Sequence, residues 1–327
     1  MLKILSFLFG IITSSIILFS ANSPSISIYA QDTQYYYNIN ENNSSLLNEL
    51  KNIKTILETK VTKLATALQI ASSLPQILQP PNINLIDLKI NGIPEDADIE
   101  KRKIAKILLD QFNEFSSIDF LLNNGDVYFD EPFEDQLNRT VTNLSFRDYY
   151  QAVEQTKKTY LSDAIISKTT GRNLAVIATP VIKENDMIGI LLGTINFNNY
   201  DKFLQSLNLQ NNTRLVIIDK NGAKIGDSNE NETSISKESF EKKEQFSNLT
   251  SVKFALEGKS GSILEKFNGK ESQITFLPYD IFQNKRILLL IQGCNSDVNN
   301  SNLCIDNNNK ELILVNESVL TRLGSFF

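Results

Sequence analysis

From Leu46 to Ala71 the residues Leu46, Leu50, Ile53, Leu57, Val61, Leu64, Leu68 and Ala71 recur at steps of three and four. That spacing lines one face of an α-helix. Pro75 closes the pattern, because proline lacks the amide donor and clashes with the turn before it. At 1.5 Å per residue, the stretch from Ser45 to Leu74 forms a rod about 45 Å long. One small domain does not require a rod of that length. The chain is therefore expected to hang two stacked domains on one spine, or to pair this helix with one from a second copy along its near-heptad spacing.

The pattern beyond the spine changes twice between helix and strand. Asp96 to Phe112 carries Ile104, Leu108 and Phe112 on one helical face. Ile118–Leu122 and Val127–Phe129 then flank Asn124-Gly125, a strong short signal for a β-hairpin. A loop to Asn143 is expected next, then a short helix from Arg147 to Gln155. A strand from Tyr160 to Ile166 and a hairpin of Leu174–Pro180 with Met187–Phe197 follow. After a connecting helix over Asn198–Leu207 the same order returns. Leu215–Ile218 turns at Asn221-Gly222 into Ala223–Ile225, and a polar insert leads to a helix over Ser251–Leu256. Ser262–Phe267, Gln273–Leu277 and Arg286–Ile291 complete the second set of strands. Such recurrence predicts an α+β fold with two related units, each an antiparallel sheet with flanking helices.

Composition narrows the function. The 327 residues suffice for two modest cores. A net charge of −6 argues against a nucleic-acid partner. Histidine is absent, which removes His-based triads, HExxH zinc sites and a phospho-accepting histidine. No metal site and no cofactor are expected. Gly258-Lys-Ser-Gly261 lacks the spacing of a phosphate loop. Without an evident acid, lysine or histidine constellation, no catalytic residue is assigned and the chain does not read as an enzyme.

Lys3 precedes an apolar run from Ile4 to Ala21, the mark of a secretory signal or an N-terminal membrane anchor. Ile28-Tyr-Ala30 before Gln31 offers a cleavage site. In either case the rest of the chain lies outside the cytoplasm. Sequons such as Asn138 and Asn143 suit that compartment. There Cys294 and Cys304, which flank a polar stretch, are expected to form a disulfide worth about 2–3 kcal/mol. The segments read as 1–30 signal or anchor, 31–44 linker, 45–74 spine, 75–205 membrane-distal unit, 206–292 membrane-proximal unit and 293–327 tail.

Arg147-Asp148-Tyr149-Tyr150 is the stretch richest in recognition chemistry. A forked cation beside two phenols suits a small carboxylate. Neighbours on a helix point about 100° apart, so one tyrosine can line a pocket while the other packs in the core. Tyr160 starts a strand and is read as a cap on such a pocket or as a simple β-former. Asp163 is read as a turn residue or a ligand contact, and Thr194 as a contact or a core residue.

Over residues 45 to 292 the chain resembles the double Cache sensor domain. The resemblance rests on Phe146-Arg147-Asp148-Tyr149-Tyr150-Gln151-Ala152, Tyr160-Leu-Ser-Asp163, Lys168-Thr-Thr-Gly171 and Ala175-Val-Ile-Ala-Thr-Pro180. Gly189-Ile-Leu-Leu-Gly193 with Thr194-Ile-Asn-Phe197, and then Val216-Ile-Ile-Asp219 with Asn221-Gly222 and Gly258-Lys-Ser-Gly261, extend it. It implies two PAS-like units on one long N-terminal helix, with the ligand in the distal unit. In amino-acid-binding members, an arginine and aromatics hold the carboxylate and an acid holds the amine. Arg147, Tyr149 and Tyr150 fit the first half. Tyr149 stands where tryptophan is usual, Thr142 stands where an aromatic is expected, and Thr194 stands where the acid is expected. A neutral Thr194 cannot pair with an ammonium group, so the expectation is a small carboxylate rather than a free α-amino acid.

The expected function is an extracytoplasmic sensory protein that binds such a ligand through Arg147, Tyr149, Tyr150, Tyr160, Asp163 and Thr194. No kinase, cyclase or methyl-accepting helix is recognised in the sequence, so a signal is expected to pass to a membrane partner. The alternative is a secreted or surface binding or adhesion module that uses the fold without signalling. An exported protein that retains residues 1–30 favours the first, and one that starts at Gln31 favours the second.

Overall fold

The computed structural model describes residues 41–166, 173–196, 203–207, 209, 213–229 and 246–293. The apolar N-terminal segment, its cleavage site, the motif Lys168–Gly171, and Cys294 and Cys304 lie outside the described residues. Among the described residues, no helix is long and apolar enough to cross a membrane.

Helix α1 (Glu41–Ser72) is the spine. All eight residues of its apolar stripe are buried. The helix packs against both sheets of the molecule. The first sheet contains β1 (Phe115–Leu121), β2 (Val127–Glu131), β3 (Tyr160–Leu161), β4 (Ile165–Ile166), β5 (Asn173–Lys183) and β6 (Asp186–Asn196). Its order is β2-β1-β6-β5-β3, and β4 pairs with another part of β5. The second sheet contains β7 (Thr213–Asp219), β8 (Lys224–Asp227), β9 (Gly261–Phe267), β10 (Lys270–Ile281) and β11 (Asn284–Gly293), in the order β8-β7-β11-β10-β9. Every ladder is antiparallel. The fold is α+β, with two PAS-like sheets carried on one N-terminal helix.

Alternation along each strand decides which face meets what. Ile118 and Phe120 of β1, with Leu191 and Ile195 of β6, join the α1 stripe. So do Leu215 and Ile217 of β7 and Leu288 and Leu290 of β11. One continuous core therefore runs from the helix onto both sheets. The opposite face of the first sheet is covered by α4 (Asp148–Thr156) and forms a separate cluster with Tyr149, Tyr150 and Val153. The opposite face of the second is covered by α5 (Thr250–Leu256), which supplies Val252 and Ala255.

The two sheets repeat each other in detail. The β1–β2 ladder slips between Phe120 and Leu121, and the β7–β8 ladder slips between Ile217 and Ile218. Both slips lie the same distance ahead of an Asn-Gly turn. The turn glycines have left-handed φ values of 86° (Gly125) and 76° (Gly222). A Cβ at Gly125 would lie 2.7 Å from the Ser145 amide, and one at Gly222 2.8 Å from the Ser247 amide. Each turn is thus pressed against the segment that enters its covering helix, and no side chain fits between them.

Two local expectations are corrected. The stretch from Pro132 to Asn143, read as a loop, contains α3 (Phe133–Leu137). Buried Gln136 pins it by donating to the carbonyls of Ile90 and Ile93, both at 2.9 Å. The expected strand Tyr160–Ile166 is two short strands. Ser162 still donates its amide to Val176 O at 2.9 Å, but beyond it the chain leaves the ladder and the Ala164 amide donates to Asp219 Oδ2 at 3.1 Å. Helix α2 (Ile99–Gln111) forms within the expected span. Of the connecting helix expected over Asn198–Leu207, helix is described only at 203–206.

The shared core sets an expected cost. Leu57→Ala in the middle of the α1 stripe should lower the unfolding free energy by about 2–5 kcal/mol, read by denaturant unfolding. Glu58→Ala, whose carboxylate pairs with Lys54 at the surface at 3.2 Å, should change it by no more than about 0.5 kcal/mol.

Candidate ligand-binding site

On the face of the first sheet turned away from α1 there is a cavity of about 90 Å³. Its polar wall is Ser117 and Asp119 of β1, Thr194 of β6, Arg139 after α3, and Arg147 and Tyr149 at the head of α4. Ile165, Leu174 and Val176 supply apolar surface. The register explains the convergence. Ser117 faces Thr194 and Asp119 faces Leu192 across the β1–β6 ladder, so strand neighbours on one face bring hydroxyls and a carboxylate together.

Arg147 is the N-cap residue of α4, with extended backbone angles (φ −76°, ψ 144°) and no side-chain cap bond. Its amide donates to Leu144 O at 3.0 Å, and its carbonyl accepts from the Gln151 amide at 3.1 Å. Its guanidinium lies 5.0 Å from the centre of the exposed Phe146 ring. Arg147 Nε is buried with no hydrogen-bond partner among the described residues. Tyr149 is 3% exposed. Burial pushes its phenol up, while Arg147 pulls the other way, so the ring carries a neutral hydroxyl.

The second cation is already engaged. Arg139 Nε donates to Asp130 Oδ2 at 2.6 Å, and Nη2 to Asp119 Oδ2 at 3.3 Å. Asp119 is raised to about 8, first by burial and then by the neighbouring Asp130, with Arg139 only partly offsetting them. Asp119 Oδ1 has no hydrogen-bond partner among the described residues.

Of the six residues singled out from the sequence, Arg147, Tyr149 and Thr194 line the cavity, whereas Tyr150, Tyr160 and Asp163 do not. Tyr150 packs in the core beneath α4, and its hydroxyl donates to Asn123 O. The Tyr160 hydroxyl points to Asp148 Oδ2 at 3.5 Å. Asp163 joins the two sheets. Its Oδ1 accepts from Asn284 Nδ2 at 2.7 Å, and its Oδ2 from Asn221 Nδ2 at 3.1 Å, with Lys220 Nζ at 3.2 Å. Its amide donates to Asp148 Oδ2 at 3.1 Å. Arg286 Nη2 donates to Ser162 O beside it. Sequence reasoning missed Asp119 and Arg139. Asp119 carried one usable signal, an acid at the centre of an apolar strand whose two faces are both covered.

A family model described as a Cache domain matches residues 10–291, and the chain belongs to that family. No curated protein matches the chain. In fold it is similar to the extracellular ligand binding receptor from Desulfohalobium retbaense, at 12% identity and TM-score 0.54, covering 75% of this chain and 39% of that one. It is similar to the ligand-binding domain of the Pseudomonas fluorescens chemoreceptor CtaA in complex with L-isoleucine, at 13% identity and TM-score 0.54, over 77% of this chain and 93% of that one. It is also similar to the ligand binding domain of the Pseudomonas aeruginosa amino acid chemoreceptor PctC in complex with GABA, at 9% identity and TM-score 0.51, over 76% and 98%.

Two outcomes follow from this geometry. A carboxyl group whose pKa is raised from the ordinary 3.8 to about 8 by burial in the fold binds its proton more tightly in the folded state. Its stabilisation is lost as pH rises from the lower value to the higher. Asp119→Asn should therefore match the wild type near pH 4 and melt progressively higher than it toward pH 8, by about 2–4 °C for each kcal/mol recovered, in ligand-free thermal unfolding. Asp163→Ala leaves the Asn284 amide without its carboxylate and should cost about 1–3 kcal/mol. Faster amide hydrogen exchange at the β7–β8 turn should accompany that loss.

Proposed function

We propose that this protein is an extracytoplasmic sensory module that binds a small carboxylate in the cavity beneath α4 and passes the event to a membrane partner. The observation that carries this reading is Arg147, whose Nε is buried in the cavity region without a hydrogen-bond partner among the described residues. A buried donor left unpaired is costly. A carboxylate supplies the missing acceptor in the planar geometry a guanidinium favours. The neutral Tyr149 hydroxyl and the Thr194 hydroxyl add donors in the same wall. Two proteins of similar fold were solved with L-isoleucine and with GABA, each a molecule that bears a carboxylate. Family membership and the apolar segment behind Lys3 support a sensory module facing outward. The choice of the first unit over the second as the ligand unit is supported by the contrast at the helix entries: Arg147 stands at the N-cap position of α4, and Leu249 stands at that of α5. The reading is of a binding module, not an enzyme.

Two copies would pair along α1, whose outward side exposes Ile56 and Ile70, two heptads apart. A monomer in solution scattering removes that element of the proposal.

A thermal-shift screen of small carboxylates tests the site. At about a hundredfold excess over the dissociation constant, a true ligand stabilises the fold by about 2.7 kcal/mol. The shift should vanish in Arg147→Ala and be reduced in Arg147→Lys, which keeps the charge but loses the fork. Stabilisation that persists in Arg147→Ala moves the site elsewhere.

A further inference from the structure

From Thr159 to Ala164 the first unit is clasped by the second. The β10–β11 turn supplies one jaw. Gln283 Nε2 donates to Thr159 O at 2.9 Å, and the Leu161 amide donates to Phe282 O at 3.1 Å. Asn284 Nδ2 donates to Leu161 O at 2.9 Å and to Asp163 Oδ1 at 2.7 Å. Asn284 is 2% exposed, so a buried amide spends its donors on the other unit. The β7–β8 turn supplies the second jaw, with Asn221 and Lys220 on Asp163 Oδ2 and Asp219 on the Ala164 amide.

The matching hairpin of the first sheet shows that the fold does not require such a clasp. The β5–β6 ladder closes on Lys183–Asp186, as the β10–β11 ladder closes on Ile281–Asn284. Both turns use two left-handed residues: Glu184 (φ 52°) and Asn185 (φ 76°) in one, Phe282 (φ 43°) and Gln283 (φ 65°) in the other. Glu184, Asn185 and Asp186 are exposed. Left-handed backbone suits glycine or asparagine, yet the second turn keeps a phenylalanine and a glutamine there, and both meet the first unit. The clasped segment also borders the cavity at two places. The Asp163 amide donates to Asp148 Oδ2 at 3.1 Å, and Asp148 follows Arg147. Ala164, held by Asp219, precedes Ile165. Arg147 and Ile165 both line the cavity.

Resting on the reading of this cavity as the ligand site, we propose that the second unit sets the ligand affinity of the first through the clasp, with Lys220, Asn221 and Asn284 as positioning residues. None of the three lines the cavity. They hold the Asp163–Ala164 segment, and that segment holds the α4 head and the start of β4. A wall ordered before the ligand arrives loses less freedom on binding, so the clasp raises affinity. The effect is reciprocal by linkage: a ligand that steadies the α4 head steadies the β7–β8 turn by the same factor. The α1 seam does not carry this coupling, because it joins the inner faces of the two sheets while the cavity lies on the outer face of the first.

The test combines Lys220→Ala with Asn221→Ala, two exposed positions where the fold tolerates the change. Asn284→Ala serves as the stronger variant. Val252→Ala, in the hydrocarbon cluster under α5, is the control that loosens the second unit without touching the clasp. Amide hydrogen exchange is read without ligand at Gln151 and Asp163, whose amides bond to Arg147 O and Asp148 Oδ2. Both should exchange about fivefold or more faster in the clasp variants and at the wild-type rate in Val252→Ala. Calorimetric titration with propionate as the probe should give a Kd about fivefold or more weaker in the double variant, and unchanged in the control. Exchange that stays at the wild-type rate in the clasp variants, or that rises as much in Val252→Ala, overturns the proposal. So does faster exchange with undiminished propionate affinity. If propionate does not bind the wild type, the carboxylate reading is what fails, and the exchange rates decide the clasp on their own.

Discussion

Burial of the α1 stripe is the interaction on which both sheets depend. A twisted sheet with one apolar face needs a partner to cover it, and here one helix covers two. Leu46 to Ala71 form a single seam that continues into Ile118 and Phe120 on the first sheet and Ile217 and Leu288 on the second. Neither sheet completes this inner core alone. Because the seam occupies one face of each sheet, the other faces are free to be covered by the shorter helices α4 and α5. That leaves the outer faces as the place where the two halves can differ without disturbing the shared core.

They do differ there. Under α5 the space is filled by Val216, Val252, Leu289 and Ile291. Under α4 part of the same space is left open and is walled by Asp119, Arg139, Arg147 and Tyr149. Hydrocarbon in the second sheet yields stability directly through burial. Charged groups in the first cost desolvation, which Asp130 offsets for Arg139, whereas Arg147 Nε and Asp119 Oδ1 have no hydrogen-bond partner among the described residues. An imbalance of this kind is what a recognition site needs, because the ligand then completes bonds that the empty protein lacks.

The cavity is also tied to the second sheet. Asp148 follows Arg147 directly and receives the Asp163 amide, and Asp163 in turn holds Asn284, Asn221 and Lys220 of the other half. Asp219 reaches back to the Ala164 amide. The break in the ladder at Ser162–Ala164 makes this joint possible, since the chain must leave β5 to meet the second sheet. A movement of the α4 head therefore has polar contacts through which it can reach the second unit.

The local parts of this protein were legible as sequence. The α1 stripe, the Asn-Gly hairpins, the recurrence of the two units and an arginine at the head of a short helix all follow from neighbours a few residues apart, where periodicity and turn chemistry act. Helix α3 is five residues long, too short for a 3.6-residue period to show. Tyr149, Tyr150 and Tyr160 look alike in sequence, and only packing divides them into one cavity residue and two that turn to the core and to Asp148. Asp163 reads as a turn residue until the second sheet is brought against it. Asp119 reads as one polar residue in a strand until β6, α3 and α4 close around it. The sequence alone determined the elements, their order and the presence of a cation suited to an anion. Tertiary structure alone decided which charges share a cavity and which are already paired, because that depends on groups distant in the chain and on the water excluded between them.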